Sequence, residues 1–231
     1  VASLVGSEMC IRDRSLTIGE VKVEENKLNK GNGITINNKI IKADKYIIAC
    51  GPWNKKILPN FFNKISYISR QEVYFFSIPN NNNDNYKIKN MPCWMDLNEN
   101  SPTYYGMPFH LNKGFKVAYD ERSTLFDPDK SDRIPLPKLI ERTKKYIYKR
   151  FPGLKNLPIT ESKVCQYENS IDGNFIIEKH NLSNDVLIMG GSSGHGFKMG
   201  PGIGEFVKDV ILKNKKIPSF LRKSRLINNN N

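Results

Sequence analysis

The run Gly190-Gly191-Ser192-Ser193-Gly194-His195-Gly196-Phe197-Lys198-Met199-Gly200-Pro201 constrains this chain more than any other segment. Glycines at this density let a backbone pass close to a ligand. The residues that follow, to Asn214, carry the apolar spacing of a helix. Proline suits a first helical turn, so the pattern predicts a helix that begins at Pro201. A helix start offers unpaired N–H groups and the positive end of the dipole. With one imidazole, His195, and one cation, Lys198, in the same loop, the segment predicts a site for an anionic or electron-rich group.

The flanking pattern is strand-rich. Leu16 to Ile18 and Glu20 to Val23 read as strands, and Asn37-Asn38 turns Ile34–Ile36 into Lys39–Ile41 as a hairpin. Lys45 to Cys50 is a continuous apolar run closed by Gly51-Pro52-Trp53. Such a run suits a parallel-sheet strand buried on both faces, with Gly51 at the carboxyl end, where open α/β sheets bind ligands. The middle changes character: Glu72 to Ile78, Pro92 to Leu97, Thr103 to Met107 and Gly114 to Tyr119 read as strands, and Pro137 to Phe151 as a helix. This is an α+β module on a mostly antiparallel sheet. After Pro158 short strands return (Glu161–Tyr167, Asn174–Glu178, Val186–Gly190), and the basic tail reads as frayed.

Length and composition set bounds. A chain of 231 residues with 39% hydrophobic and 26% charged residues can bury a real core. No apolar stretch nears the roughly 20 residues of a membrane helix, and no secretory leader is evident. A net charge of +13 raises nucleic acid as a partner, yet the lysines are scattered apart from Lys213 to Arg225, and no nucleic-acid-binding signature occurs. Neither nucleic acid nor membrane is therefore expected as a partner. The four cysteines, Cys10, Cys50, Cys93 and Cys165, have no metal-ligand or disulfide spacing. A reducing, cytoplasmic setting without a metal site is the expectation. Val1 to Arg14 looks like translated sequencing-adapter sequence and is set aside from the fold.

A series of residues, in order along the chain, resembles one family. It runs through Ala43-Asp44, Ala49-Cys50-Gly51-Pro52-Trp53, Tyr105-Gly106-Met107-Pro108, Gly114-Phe115-Lys116, Asp127-Pro128-Asp129 and Arg150-Phe151-Pro152-Gly153-Leu154. It continues with Cys165-Gln166-Tyr167, Asp172, Phe175-Ile176-Ile177, Ser193 to Lys198 and Gly200 to Glu205. The pattern is similar to the FAD-dependent amine oxidases of the D-amino-acid oxidase superfamily, in particular the sarcosine oxidase and N-methyltryptophan oxidase branch. No GxGxxG fingerprint occurs between a strand and a helix, so the resemblance implies a gene shortened at its start. The implied fold is α/β plus α+β: a partial FAD-binding, glutathione-reductase-like domain without its first βαβ unit, and an antiparallel-sheet substrate domain. The expected division is 15–58 and 161–214 for the FAD-binding part, 59–160 for the substrate domain and 215–231 for a basic tail.

The resemblance also implies roles. Cys165 would be joined through sulfur to FAD, and Gly51, Gly194, His195, Gly196, Phe197 and Lys198 would border the cofactor. Lys198 would help hold a substrate carboxylate, Tyr105 and Tyr167 would line the substrate pocket, and Lys116 would activate oxygen. Asp120 departs from the pattern, because the sarcosine oxidases carry histidine there, and an anion in its place changes the preferred substrate. The implied reaction is oxidation of a secondary or N-methyl amino acid by oxygen, giving imine and hydrogen peroxide. Two alternatives stand beside it: an FAD dehydrogenase of the same fold with another electron acceptor, and a non-catalytic basic binding protein. The 231 residues alone are expected to bind FAD poorly and to aggregate through open sheet edges.

Overall fold

The computed structural model describes residues 17–28, 31–78, 84–98, 101–110 and 112–227. Val1 to Arg14, Leu16 and the asparagine run 80–83 lie outside the described residues, and Thr17–Ile18 forms no strand. A small antiparallel sheet comes first: β1 (Val21–Lys22), β2 (Ile34–Ile36) and β3 (Lys39–Ile41). Its hairpin turns at Asn37 and Asn38 with φ of 49° and 63°. Two left-handed residues make the turn whose twist matches the strands, and asparagine tolerates that region best after glycine.

β4 (Tyr46–Ile48) runs parallel to β11 (Ser183–Gly190), which pairs antiparallel with β10 (Ile176–His180), giving the order β10-β11-β4. One face buries Tyr46, Ile48, Ile176, Val186 and Ile188 against Leu28, against the short helices α1 (Asn54–Ile57) and α2 (Pro59–Phe62), and against Leu226. The other face packs Ile177 and Leu187 on Val207 and Val210 of α4 (Gly196–Leu212). That second cluster stops at β11. Ile47 is consequently 49% exposed, and β4 is buried on one face instead of the two its apolar run predicts.

The larger sheet has the order β6-β7-β8-β5-β9, antiparallel throughout. Its strands are β5 (Ser66–Phe76), β6 (Trp94–Asn98), β7 (Ser101–Met107), β8 (Phe115–Asp120) and β9 (Ile159–Ser170). Helix α3 (Pro137–Arg150) covers one face. It starts on a proline whose missing N–H needs no partner there, and Ile147 seals against Tyr74, Phe76, Phe115 and Val117.

Three expectations need correcting. β5 begins at Ser66, six residues before the predicted Glu72, because Ser69, Arg70, Gln71 and Glu72 are buried although polar. Buried polar groups need partners; Arg70 donates to Glu72 and to the carbonyls of Asp132 and Ile134, while Glu72 accepts from Tyr74 and the Leu136 N–H. Helix α4 starts at Gly196, not Pro201. Ser193 and Gly194 adopt φ of 47° and 86°, which turns the chain so that helix begins directly after His195. Pro201 then sits in the second turn and, having no N–H, leaves the Phe197 carbonyl without its helical donor at the exposed helix start. Finally, the tail is not frayed through Ile227: Ile217 and Leu226 are 6% and 2% exposed, and α5 (Ser224–Ile227) is docked on the mixed sheet β10-β11-β4.

Candidate functional site

Strand alternation and register decide which side chains meet on the large sheet. Phe115 and Val117 of β8 face α3, which leaves Lys116, Ala118 and Asp120 on the opposite face. Opposite them on β7 lie Met107, Tyr105 and Thr103, and across β5 the register pairs Gln71 with Cys165 and Ser69 with Tyr167. The sequence-predicted residues Lys116, Tyr105, Cys165 and Tyr167 thus share one face, drawn from three strands. The Tyr105 and Tyr167 hydroxyls are 3.2 Å apart, and the Lys116 ammonium lies 5.7 Å from the centre of the Tyr105 ring. Burial pushes both hydroxyls above their ordinary pKa, Tyr105 furthest because Tyr167 also holds its proton in place. Neither phenol ionises near neutral pH.

The glycine loop closes on this face. A Cβ on Gly194 would lie 2.6 Å from the Tyr167 ring, so the loop's close approach requires glycine at that position. His195 sets its ring 3.3 Å from the Gly173 carbonyl and edge-on to Phe175, which makes it a support of the loop. Gly196, Phe197 and Lys198 form the first turn of α4, with no N-cap side-chain hydrogen bond among the described residues. Phe197 is 91% exposed, and Lys198 is exposed and forms no ion pair among the described residues. Among the described residues, no hydrogen bond or cation–ring contact joins Lys198 to Tyr105 or Lys116. Gly51 holds φ of 51° at the end of β4, next to a cavity of about 740 Å³ lined by Cys50, Trp53, Lys56 and Val21.

Sequence reasoning missed several residues around this frame. Asp120 forms a two-pronged 3.4 Å ion pair with Arg122, so its charge beside the tyrosines is balanced within the chain. Gln71 is 1% exposed, donates to the Tyr119 carbonyl and has a buried oxygen without a partner among the described residues. Arg225, in the tail, grips Asp172 with contacts of 2.7 and 3.0 Å. Asp172 in turn orders the turn that holds His195, accepting from the Asn174 N–H and the Ser170 hydroxyl.

The Arg225 pair holds the Asp172 carboxyl well below its ordinary 3.8. A depressed carboxylate adds stability that is complete above the unfolded value and is lost as pH falls through it toward the folded one. Arg225→Ala is expected to cost about 2 kcal/mol, the scale of hydrogen bonds to a charged group. It should also flatten the loss of stability between neutral pH and pH 3. Urea unfolding at both pH values checks this, and equal acid sensitivity in the two proteins would refute it.

The donor set fits a flat group rich in acceptors. Gly194, which lies against Tyr167, comes two residues before the helix start at Gly196, and the half-buried free thiol of Cys165 shares the Tyr167 face of β9. Solved structures share this architecture. The fructosamine oxidase of Aspergillus fumigatus (Amadoriase II) superposes with a TM-score of 0.70 at 17% identity, over 88% of this chain and 49% of that one. The L-proline dehydrogenase of P. horikoshii does so with 0.67 at 21% identity, over 86% and 51%. The fold is the mixed α/β architecture with antiparallel sheets found in those oxidoreductases.

The sequence narrows this further: it matches the FAD dependent oxidoreductase (DAO) family across residues 16–210, and the chain belongs to that family. Monomeric sarcosine oxidase of Bacillus sp. (strain B-0618) is 32% identical over 179 residues, which is 75% of this chain and 44% of that protein. N-methyl-L-tryptophan oxidase of Salmonella arizonae is 28% identical over 197 residues, 82% and 49%. The chain spans about half the length of the curated relatives it matches. Among the described residues, no helix is long and apolar enough to cross a membrane.

Proposed function

We propose that the chain is part of an FAD-dependent oxidase acting on a secondary or N-methyl amino acid. The observation that carries this reading is the convergence of Lys116, Tyr105, Tyr167 and Cys165 on one sheet face, with Gly194 against Tyr167. FAD, when bound, would supply the redox chemistry, a two-electron oxidation of the amine to the imine with oxygen as acceptor and hydrogen peroxide as the second product. The rest is positioning and charge. Tyr105 and Tyr167 wall the substrate pocket as neutral phenols. Lys198, at the α4 start, meets the substrate carboxylate, and Lys116 supplies positive charge where oxygen is reduced. The first turn of α4, with His195, Gly196 and Phe197, faces the electron-rich edge of the cofactor, and Gly51 borders it at the end of β4.

The division into 15–58 with 161–214, and 59–160, is supported by the separation of the β10-β11-β4 sheet from the five-stranded sheet, with β9 (Ile159–Ser170) of the larger sheet running across the boundary at 161. A sheet completed by further chain is supported by the outer edge of β4, which has no strand beside it among the described residues, and by the exposed Ile47 next to it. A cytoplasmic setting fits three cysteines that remain unpaired among the described residues.

Cys165 anchors the cofactor covalently through its sulfur. In the longer, cofactor-loaded protein, acid-precipitated polypeptide is expected to stay yellow, whereas Cys165→Ser should release all of its flavin to the supernatant. A colourless wild-type precipitate would overturn the linkage.

A further inference from the structure

One buried carboxylate takes no part in that scheme. Glu168 of β9 is 2% exposed and forms no ion pair among the described residues. Its two oxygens each accept one N–H: from Asn54 Nδ2 at 2.9 Å and from the Gly191 backbone at 3.1 Å. Its own carbonyl accepts the Ser193 N–H at 2.9 Å. Asn54, fully buried in the first turn after β4, cannot turn over. Its Oδ1 accepts the Cys50 N–H at 3.0 Å, and its Nδ2 also donates to the Met189 carbonyl at 2.8 Å.

Glu168 and Asn54 therefore tie four pieces of chain at one point: the end of β4, the end of β11, β9 and the loop before α4. The packing leaves no slack there, because a Cβ on Gly190 would lie 2.9 Å from both Asn54 and Glu168. Ser193 sits at φ of 47°, which a non-glycine residue holds only when its surroundings impose it. The next residue, Gly194, touches Tyr167.

We propose that Glu168, acting through Asn54, is a positioning residue that locks Gly191–Ser193, and with it the start of α4, against the carboxyl end of β4. For its consequence to the reaction this rests on the reading that the loop borders the cofactor; the lock itself does not. Both partners of the carboxylate are fixed donors, so the chemistry demands two acceptors. Glutamine must turn its NH₂ toward one of those donors. A proton on the acid places an O–H there in the same way, so the lock responds to pH.

Burial raises the Glu168 carboxyl to about 7. Among the described residues, the titratable group that feels the Glu168 charge is the half-buried Cys50 thiol, which burial holds above its ordinary value and which stays neutral in this range.

The test uses amide NMR of the longer protein. In the wild type, the Gly191 amide and the Asn54 side-chain amide should titrate together with one midpoint near 7. In Glu168→Gln both should stop titrating, and the Gly191 amide should exchange with solvent about tenfold faster, the loss of one hydrogen bond. Asn54→Ala should speed Gly191 exchange as well, although Asn54 makes no bond to Gly191, and the double variant should add little. If Glu168→Gln does not fold, Glu168→Asp, one methylene short, takes its place with the same expectation. Unchanged Gly191 exchange in the folded variants, or a Gly191 amide that ignores pH in the wild type, would overturn the proposal. In the longer protein, the flavin absorbance of the wild type should shift across the same pH range and that of Glu168→Gln should not; a flavin spectrum that behaves identically in both overturns the consequence for the cofactor, while the NMR result decides the lock. A longer protein that holds no flavin would sink the oxidase reading and leave the NMR result standing.

Discussion

Lys116→Met, in the longer cofactor-loaded protein, is expected to slow reoxidation by oxygen about a hundredfold to a thousandfold, while reduction by the amine changes by less than about threefold. Methionine keeps the length and loses the charge. Lys116 is half-buried on β8 and forms no ion pair among the described residues, and Asp120 two positions along the same face is already matched by Arg122. Its positive charge is therefore not cancelled locally. One electron passed to oxygen makes an anion. At about 4 Å and an effective dielectric of about 20, a unit cation stabilises that anion by about 4 kcal/mol, enough for the expected factor. Reduction by the amine creates no charge at that spot, so the two half-reactions should separate in stopped-flow traces. Equal slowing of both would show that Lys116 holds structure instead of activating oxygen. A wild type that reoxidises readily with a dye but not with air would replace the oxidase reading with the dehydrogenase one.

How much of this was legible in the sequence follows from where each residue finds its partners. The β2–β3 hairpin was readable because Asn37 and Asn38 carry their own turn chemistry. Lys116 was placed on a strand by alternation with Phe115 and Val117, a pattern local to six residues. The first half of β5 was not readable. Arg70 and Glu72 are buried only because groups around residues 132–136, some 60 positions on, satisfy them, and hydropathy cannot see partners that distant. The α4 start was misplaced for a similar reason. Proline chemistry favoured Pro201, but the left-handed turn at Ser193 and Gly194, pinned by Glu168, moved it five residues earlier. In the tail, charge concealed Ile217, Leu226 and the Arg225 grip on Asp172. The candidate site itself was gathered by resemblance; the geometry added Glu168, Asn54, Gln71 and Arg122, which no spacing rule marks.

Gly194→Ala is expected to destabilise this chain by about 3 kcal/mol and to separate Tyr167 from Tyr105. Two costs combine. The backbone at φ of 86° is open to glycine and strained for alanine, worth about 1–3 kcal/mol. The new methyl would also lie 2.6 Å from the Tyr167 ring, so the ring must give way and the 3.2 Å contact between hydroxyls is lost. Gly200→Ala, only six positions on, is the internal control. A Cβ there meets nothing within 4 Å, and alanine inside an exposed helix gains about 0.5–1 kcal/mol over glycine. Two glycine-to-alanine changes in one short stretch should thus move stability in opposite directions, as urea unfolding can read. Ultraviolet titration of the tyrosines supplies the second measure. Once Tyr167 moves out of its buried place beside Tyr105, its hydroxyl should fall back toward the ordinary 10, whereas Gly200→Ala should leave both phenols raised. If Gly194→Ala were as stable as the wild type with both phenols unmoved, the loop would not press on Tyr167, and the site would lose the contact that joins its two sheets.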